Sequence, residues 1–145
     1  MDEVGSGLLI KQLVIGTLVI AATIAVHAEM LARFTRFEDR VMQAARAHLR
    51  RFSDTGFIIV GVLYIMLAHT IEVWLWAIVL MLTGAVSGLE ASVYFSLVCF
   101  TTLGFGDITL ATDWRLLSAL IGANGFLVFG WSTAYMVELM RRTNQ

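Results

Sequence analysis

The chain has 145 residues, of which 59% are hydrophobic and 14% are charged, and its formal net charge is −1. Soluble domains average about 45–50% apolar and about 25% charged residues, so the composition excludes a typical soluble enzyme and indicates a membrane protein. The near-zero net charge excludes a strongly basic nucleic-acid-binding chain, and a single cysteine excludes intrachain disulfides.

Four apolar stretches determine the predicted topology. Three of them, residues 8–27, 56–81 and 115–139, are long enough to match the roughly 20 residues that a helix needs to cross the hydrocarbon. The fourth, residues 91–106, is too short to cross and ends in glycines, so we predict a re-entrant segment. The sequence therefore predicts an all-α membrane protein with three transmembrane helices and one re-entrant segment.

The segment between the first two crossings, residues 29–54, carries six arginines and apolar residues at every third or fourth position. This pattern predicts a separate amphipathic helix in the headgroup layer. Two more arginines lie near the C-terminus, whereas only Lys11 and Arg115 fall on the opposite side. The positive-inside rule therefore predicts that residues 29–54 and the C-terminus are cytoplasmic and that the N-terminus is outside.

The re-entrant segment should begin with a short helix near Gly88, because Ser87 and Glu90 fit a capping box. The helix leads into residues 101–107, which read Thr-Thr-Leu-Gly-Phe-Gly-Asp. The two glycines alternate with larger residues, and glycine tolerates left-handed backbone conformations. A strand whose residues alternate between right-handed and left-handed backbone conformations can point its successive carbonyl oxygens toward the same side.

Stacked rings of such oxygens replace the hydration shell of a cation. Four such strands around one axis would form these rings. Since each chain supplies one strand, four chains are implied. The expected oxygens are the backbone carbonyls of Thr102, Leu103, Gly104 and Phe105, with the Thr102 hydroxyl below them. The negative end of the short helix dipole favours a cation at the same place.

The string 101–107 resembles the selectivity-filter signature of potassium channels, usually written T-T-V-G-Y-G-D, and the resemblance extends over about residues 56–140. It is similar to small prokaryotic members. The resemblance implies a homotetramer in the plasma-membrane bilayer that conducts K⁺ passively. It implies no catalysis, no cofactor beyond bound potassium ions, and no nucleic acid or small-molecule substrate as partner.

The resemblance also divides the chain into an N-terminal part, residues 1–54, and a pore domain, residues 55–145. The pore domain would contain an outer helix (55–82), a pore helix (88–100), a filter (101–107) and an inner helix (114–140). The resemblance assigns ion binding to the filter residues Thr101, Thr102, Leu103, Gly104, Phe105, Gly106 and Asp107. It further implies a hydrogen bond from Tyr94 to Asp107 that supports the filter.

Two residues depart from the family pattern, since Leu103 replaces valine and Phe105 replaces tyrosine. Phe105 lacks a hydroxyl group and so cannot make the lateral hydrogen bond behind the filter. These two departures leave a weakly selective cation channel open as an alternative to a potassium-selective one. An alternative from another class is a non-conducting membrane sensor or assembly subunit that retains the fold.

Three further residues within the crossings are candidates for function. His69 and Glu72 lie three residues apart on one helix face at mid-span, where polar groups are costly. They are interpreted either as proton-sensitive support behind the filter or as a neutral interhelical hydrogen bond to Ser132 or Asn124. Gly125 is interpreted either as a gating hinge or as a site of close helix packing.

Overall fold

A computed structural model describes residues 3–45 and 52–143, and it describes side-chain surroundings over residues 6–40 and 56–142. Within these residues the chain forms four helices: α1 (Glu3–Ala45), α2 (Phe52–Leu82), α3 (Leu89–Phe100) and α4 (Arg115–Thr143). No strand occurs in the described part of the chain. The all-α architecture predicted from the sequence is confirmed.

Three of the helices are long and apolar enough to cross a membrane, over Ser6–Arg40, Gly56–Leu82 and Arg115–Arg142. The number predicted from the sequence is therefore confirmed. The 12 residues of α3 span about 18 Å at 1.5 Å per residue, well short of the roughly 30 Å hydrocarbon thickness. Consequently α3 cannot cross, and it packs between α2 and α4 instead.

The prediction of a separate interfacial helix over residues 29–54 is wrong wherever the structure describes that segment. Residues 29–45 continue α1 without interruption, and α2 has already begun at residue 52. Leu31 and Phe34 are buried, whereas Phe37, on the predicted apolar face, is 50% exposed. The helix continues because no proline or glycine breaks it and because its apolar residues find partners on other helices. Residues 46–51 lie outside the described part of the chain.

An aromatic group around Phe34 holds the C-terminal half of α1 in place. Its ring lies 5.5 Å from Phe57, 5.1 Å from Tyr64 and 6.4 Å from Tyr135, centroid to centroid. The hydroxyls of Thr35 and Tyr135 are also 3.0 Å apart. These contacts join α1 to both α2 and α4.

The core lies around α3, where Trp76 and Leu80 of α2 meet Phe100 of α3 and Leu117 and Ile121 of α4, all fully buried. Two polar contacts join helices near this core. The Ser96 hydroxyl of α3 donates to the Val73 carbonyl of α2 at 2.8 Å. The Gln12 side-chain oxygen of α1 accepts the backbone N–H of Leu116 at 3.0 Å, which satisfies a free donor in the first turn of α4.

Candidate functional site

The start of α3 differs in detail from the predicted capping box. The helix begins at Leu89, close to the predicted position, but the residue at its N-cap is Gly88 rather than Ser87, and no side chain caps the helix. Gly88 has φ 92° and ψ 146°, a region that is essentially restricted to glycine. The backbone conformation, and not a hydroxyl cap, therefore determines where this helix starts.

The segment after α3 has the alternating handedness that the sequence predicts. Thr102, Gly104 and Gly106 have φ of 61°, 58° and 77°, whereas Leu103 and Phe105 between them have negative φ. Thr102 has the only positive φ of a non-glycine residue within the described part of the chain. A threonine in this region is strained, and such strain concentrates at functional sites.

The same segment is anchored by its N–H groups, while its carbonyl oxygens have no intrachain donor. The N–H groups of Leu103 and Gly104 donate to the Val98 carbonyl at 3.1 and 3.3 Å. No donor within the described residues bonds to the carbonyls of residues 102–105. Leu103 and Phe105 are 61% and 66% exposed. Backbone oxygens left free in an apolar protein need a partner from outside the chain.

The two ends of the segment are tied to α3 by side-chain hydrogen bonds. The Thr101 hydroxyl donates to the Leu97 carbonyl at 2.7 Å. The Tyr94 hydroxyl donates to Asp107 Oδ2 at 2.6 Å, so the contact implied by the resemblance is present. This hydrogen bond, together with backbone N–H groups of Asp107 and Ile108, lowers the pKa of the Asp107 carboxyl group. Asp107 therefore carries a negative charge at neutral pH.

A second polar site lies inside the bundle and joins three helices. The carboxylate of Glu72 (α2) lies 2.8 Å from Nδ1 of His27 (α1) and 2.9 Å from Nδ1 of His69 (α2). The Ser132 hydroxyl (α4) lies 3.2 Å from Nε2 of His27 and 3.1 Å from Nε2 of His69. These four side chains close a ring of hydrogen bonds, and we call them the buried ring. His27 and Glu72 are fully buried, and the other two are 6–7% exposed.

Two arrangements of protons satisfy all four contacts of the buried ring. In the first, an ionised Glu72 accepts from both Nδ1–H groups, and one of the two imidazoles is cationic. In the second, the Glu72 carboxyl donates to one Nδ1 and accepts from the other Nδ1–H, and both imidazoles are neutral. In both arrangements Ser132 donates to one Nε2 and accepts from the other Nε2–H, and the ring has no net charge. A neutral, fully bonded group is the form that a low-dielectric interior favours.

Sequence reasoning identified three of the four members of this ring. It paired His69 with Glu72 and named Ser132 as a possible partner, and both contacts are present. It missed His27, whose only signal was a histidine inside an otherwise apolar crossing. The alternative partner Asn124 is wrong, because its side-chain oxygen accepts instead from Thr23 at 2.8 Å and Trp76 at 2.9 Å.

In the described part of the chain, aromatic packing links the buried ring to the end of α3, which precedes residues 101–107. The His69 ring lies 6.1 Å from Phe100 at the end of α3 and 4.7 Å from Phe129 of α4. Within the described residues, no hydrogen bond joins His69 or Glu72 to residues 101–107. The interpretation of these two side chains as support behind residues 101–107 therefore stays a prediction.

Comparison with known families identifies the family to which this chain belongs. A family model described as an ion channel matches residues 57–142, more than half of the chain. The chain belongs to this ion channel family. The match begins in α2, includes α3 and the segment 101–107, and ends in α4, so the channel unit excludes α1. No curated protein and no solved structure matches the chain.

Membership agrees with the three membrane-length helices, so the protein is a membrane ion channel. In this channel Gly125 is the position where α4 packs on the end of α3. A Cβ atom built on Gly125 would meet the backbone of Phe100, lying 2.7 Å from its carbonyl carbon and still closer to its oxygen. The close-packing interpretation of Gly125 accounts for this glycine, and its role as a hinge stays a prediction.

We expect Gly125→Ala to destabilise the channel by about 1–3 kcal/mol, because the new methyl group meets backbone atoms that cannot rotate away. Thermal unfolding of purified protein in detergent, followed by circular dichroism, measures the effect. Gly130→Ala is the matched control, since it lies in the same helix and its Cβ would meet nothing within 4 Å. Equal unfolding temperatures for the two variants would contradict the packing argument.

Proposed function

We propose that the protein is a homotetrameric, potassium-selective channel whose filter is residues 101–107. One observation carries the proposal: the positive φ values at Thr102, Gly104 and Gly106, in a segment whose carbonyls have no donor within the described chain. An exposed row of free backbone oxygens is costly in a membrane unless it lines an ion path.

Conduction in this proposal needs no chemistry beyond coordination. Four copies of the segment supply rings of carbonyl oxygens from Thr102, Leu103, Gly104 and Phe105, and these oxygens take the place of water around K⁺. Because several such sites lie next to one another, each site binds K⁺ weakly enough for the ion to leave. The C-terminal end of α3 adds its negative dipole end beside the filter, and ionised Asp107 adds charge at the other end of the segment.

The remaining elements take supporting roles. Arginine placement favours a cytoplasmic C-terminus and an outside N-terminus in the plasma membrane. Tyr94 holds Asp107 in place through the 2.6 Å hydrogen bond. Helix α1 braces the channel unit through the Phe34 aromatic group and the buried ring, and bending of α4 near Gly125 opens a cytoplasmic gate.

Recording the purified protein in planar bilayers with K⁺ on one side and Na⁺ on the other tests the proposal. We expect a reversal potential close to the K⁺ equilibrium value, and a native mass of four 16.0 kDa chains. A reversal potential near zero would replace the proposal with a weakly selective channel, which the missing hydroxyl of Phe105 favours. Absence of any flux from a folded tetramer would indicate a sensor or assembly subunit.

A further inference from the structure

The buried ring brings together three side chains that can each bind a metal ion. One nitrogen from each of His27 and His69 and one carboxylate oxygen of Glu72 lie within 4.8 Å of one another, and all three residues are buried. Both Nδ1 atoms face the same carboxylate at 2.8 and 2.9 Å. Two histidines and one carboxylate that converge in this way form a recurrent protein ligand set for zinc.

We propose that His27, His69 and Glu72 form a binding site for a divalent transition-metal ion of the zinc type inside each subunit. Ligands of one zinc ion lie up to about 4.2 Å apart, twice the Zn–N distance of about 2.1 Å, so small side-chain rotations bring all three atoms onto one ion. Two imidazoles exclude Mg²⁺ and Ca²⁺, which prefer oxygen, and the absence of sulfur from the ligand set disfavours Cu⁺.

Ser132 gives the site the outer contacts that a metal centre requires. When both Nδ1 atoms bind the ion, both Nε2 atoms carry protons and need acceptors. The Ser132 oxygen lies 3.2 and 3.1 Å from these two atoms and has two lone pairs to offer. A histidine ligand that donates its second N–H in this way has its tautomer and orientation fixed.

The surroundings of these three ligands favour a bound cation. Within the described residues, no lysine or arginine contacts Glu72, so its charge is available to a metal. The aromatic rings of Trp131 and Phe129 flank the two imidazoles at 5.3 and 4.7 Å, which excludes most water.

A bound ion would join α1, which lies outside the matched channel unit, to α2 within it. The ligands come from these two helices and the orienting hydroxyl from α4. Because the metal binds the folded arrangement alone, its binding energy adds to the stability of the packed bundle. The site would therefore regulate how firmly the N-terminal helix is attached to the channel.

Metal analysis of untagged protein, stripped with a chelator and then dialysed against micromolar Zn²⁺ in detergent, tests the proposal. We expect one zinc ion per wild-type chain, visible Co²⁺ absorption bands after substitution, and a higher unfolding temperature with Zn²⁺. Glu72→Gln retains the size and most hydrogen bonds of the carboxylate but offers no anionic ligand, so it should lose at least nine-tenths of the metal.

Ser132→Ala should retain the stoichiometry and weaken affinity by about 10–100-fold, the usual effect of losing an outer contact. The proposal is overturned if the wild type retains no zinc, or if folded Glu72→Gln retains as much as the wild type. None of these measurements depends on ion conduction, so a failure here is distinct from a failure of the channel proposal.

Discussion

Replacing Gly104 with alanine is expected to reduce K⁺ conductance at least tenfold. Gly104 has φ 58°, and a Cβ atom there would meet nothing within 4 Å of the same chain, so the change acts through backbone conformation. A non-glycine residue in this region costs about 1–2 kcal/mol. In the proposed tetramer, the four copies of that cost sum to about 4–8 kcal/mol, enough to turn the strand out of its alternating form. Single-channel recording in symmetric K⁺ measures the loss.

Gly84→Ala is the matched control for this experiment. Gly84 has φ 70° and equally open surroundings, but it lies in the turn after α2, away from residues 101–107. The two variants impose similar strain at different places, so only Gly104→Ala should lose conductance. Full K⁺ conductance in Gly104→Ala would refute the assignment of this segment as the ion path.

Removing the carboxylate of the buried ring is expected to have the largest effect on stability. Glu72→Ala leaves the Nδ1 atoms of His27 and His69 without partners in a site that water hardly reaches. Deleting one partner of a buried ionic group costs about 3–5 kcal/mol. Denaturant or thermal unfolding in detergent, read by circular dichroism under metal-free conditions, should show this loss.

Glu72→Gln separates the hydrogen bonds from the charge. A glutamine amide accepts from one Nδ1–H and donates to the other Nδ1, which suits two neutral histidines of opposite tautomers. The ring then closes through Ser132 as before, so Gln should cost far less stability than Ala. Equal unfolding curves for the wild type and Glu72→Ala would show that the ring contributes nothing.

The features that the sequence could predict depend on short stretches of chain. The lengths of the three crossings follow from apolar runs, and the alternating backbone after α3 follows from the spacing of Gly104 and Gly106. The hydrogen bond from Tyr94 to Asp107 joins residues only 13 positions apart, and resemblance to a known motif was enough to expect it.

The features that the sequence could not predict depend on distant residues. His27 joins Glu72 across 45 positions and Ser132 across 105, and a lone histidine in an apolar helix carries no information about its partners. The spacing of arginines after residue 28 predicted a separate surface helix. In the structure this segment continues α1 instead, because Phe34 is buried against α2 and α4.

The sequence by itself determined which segments are helical and apolar enough for a membrane and which segment can present free carbonyls, because helix length and glycine conformation are local properties. Only the tertiary structure decided that α1 is one helix, that Gly125 admits the end of α3, and that four polar side chains close a ring. Packing selects those outcomes, since each depends on where separate helices meet.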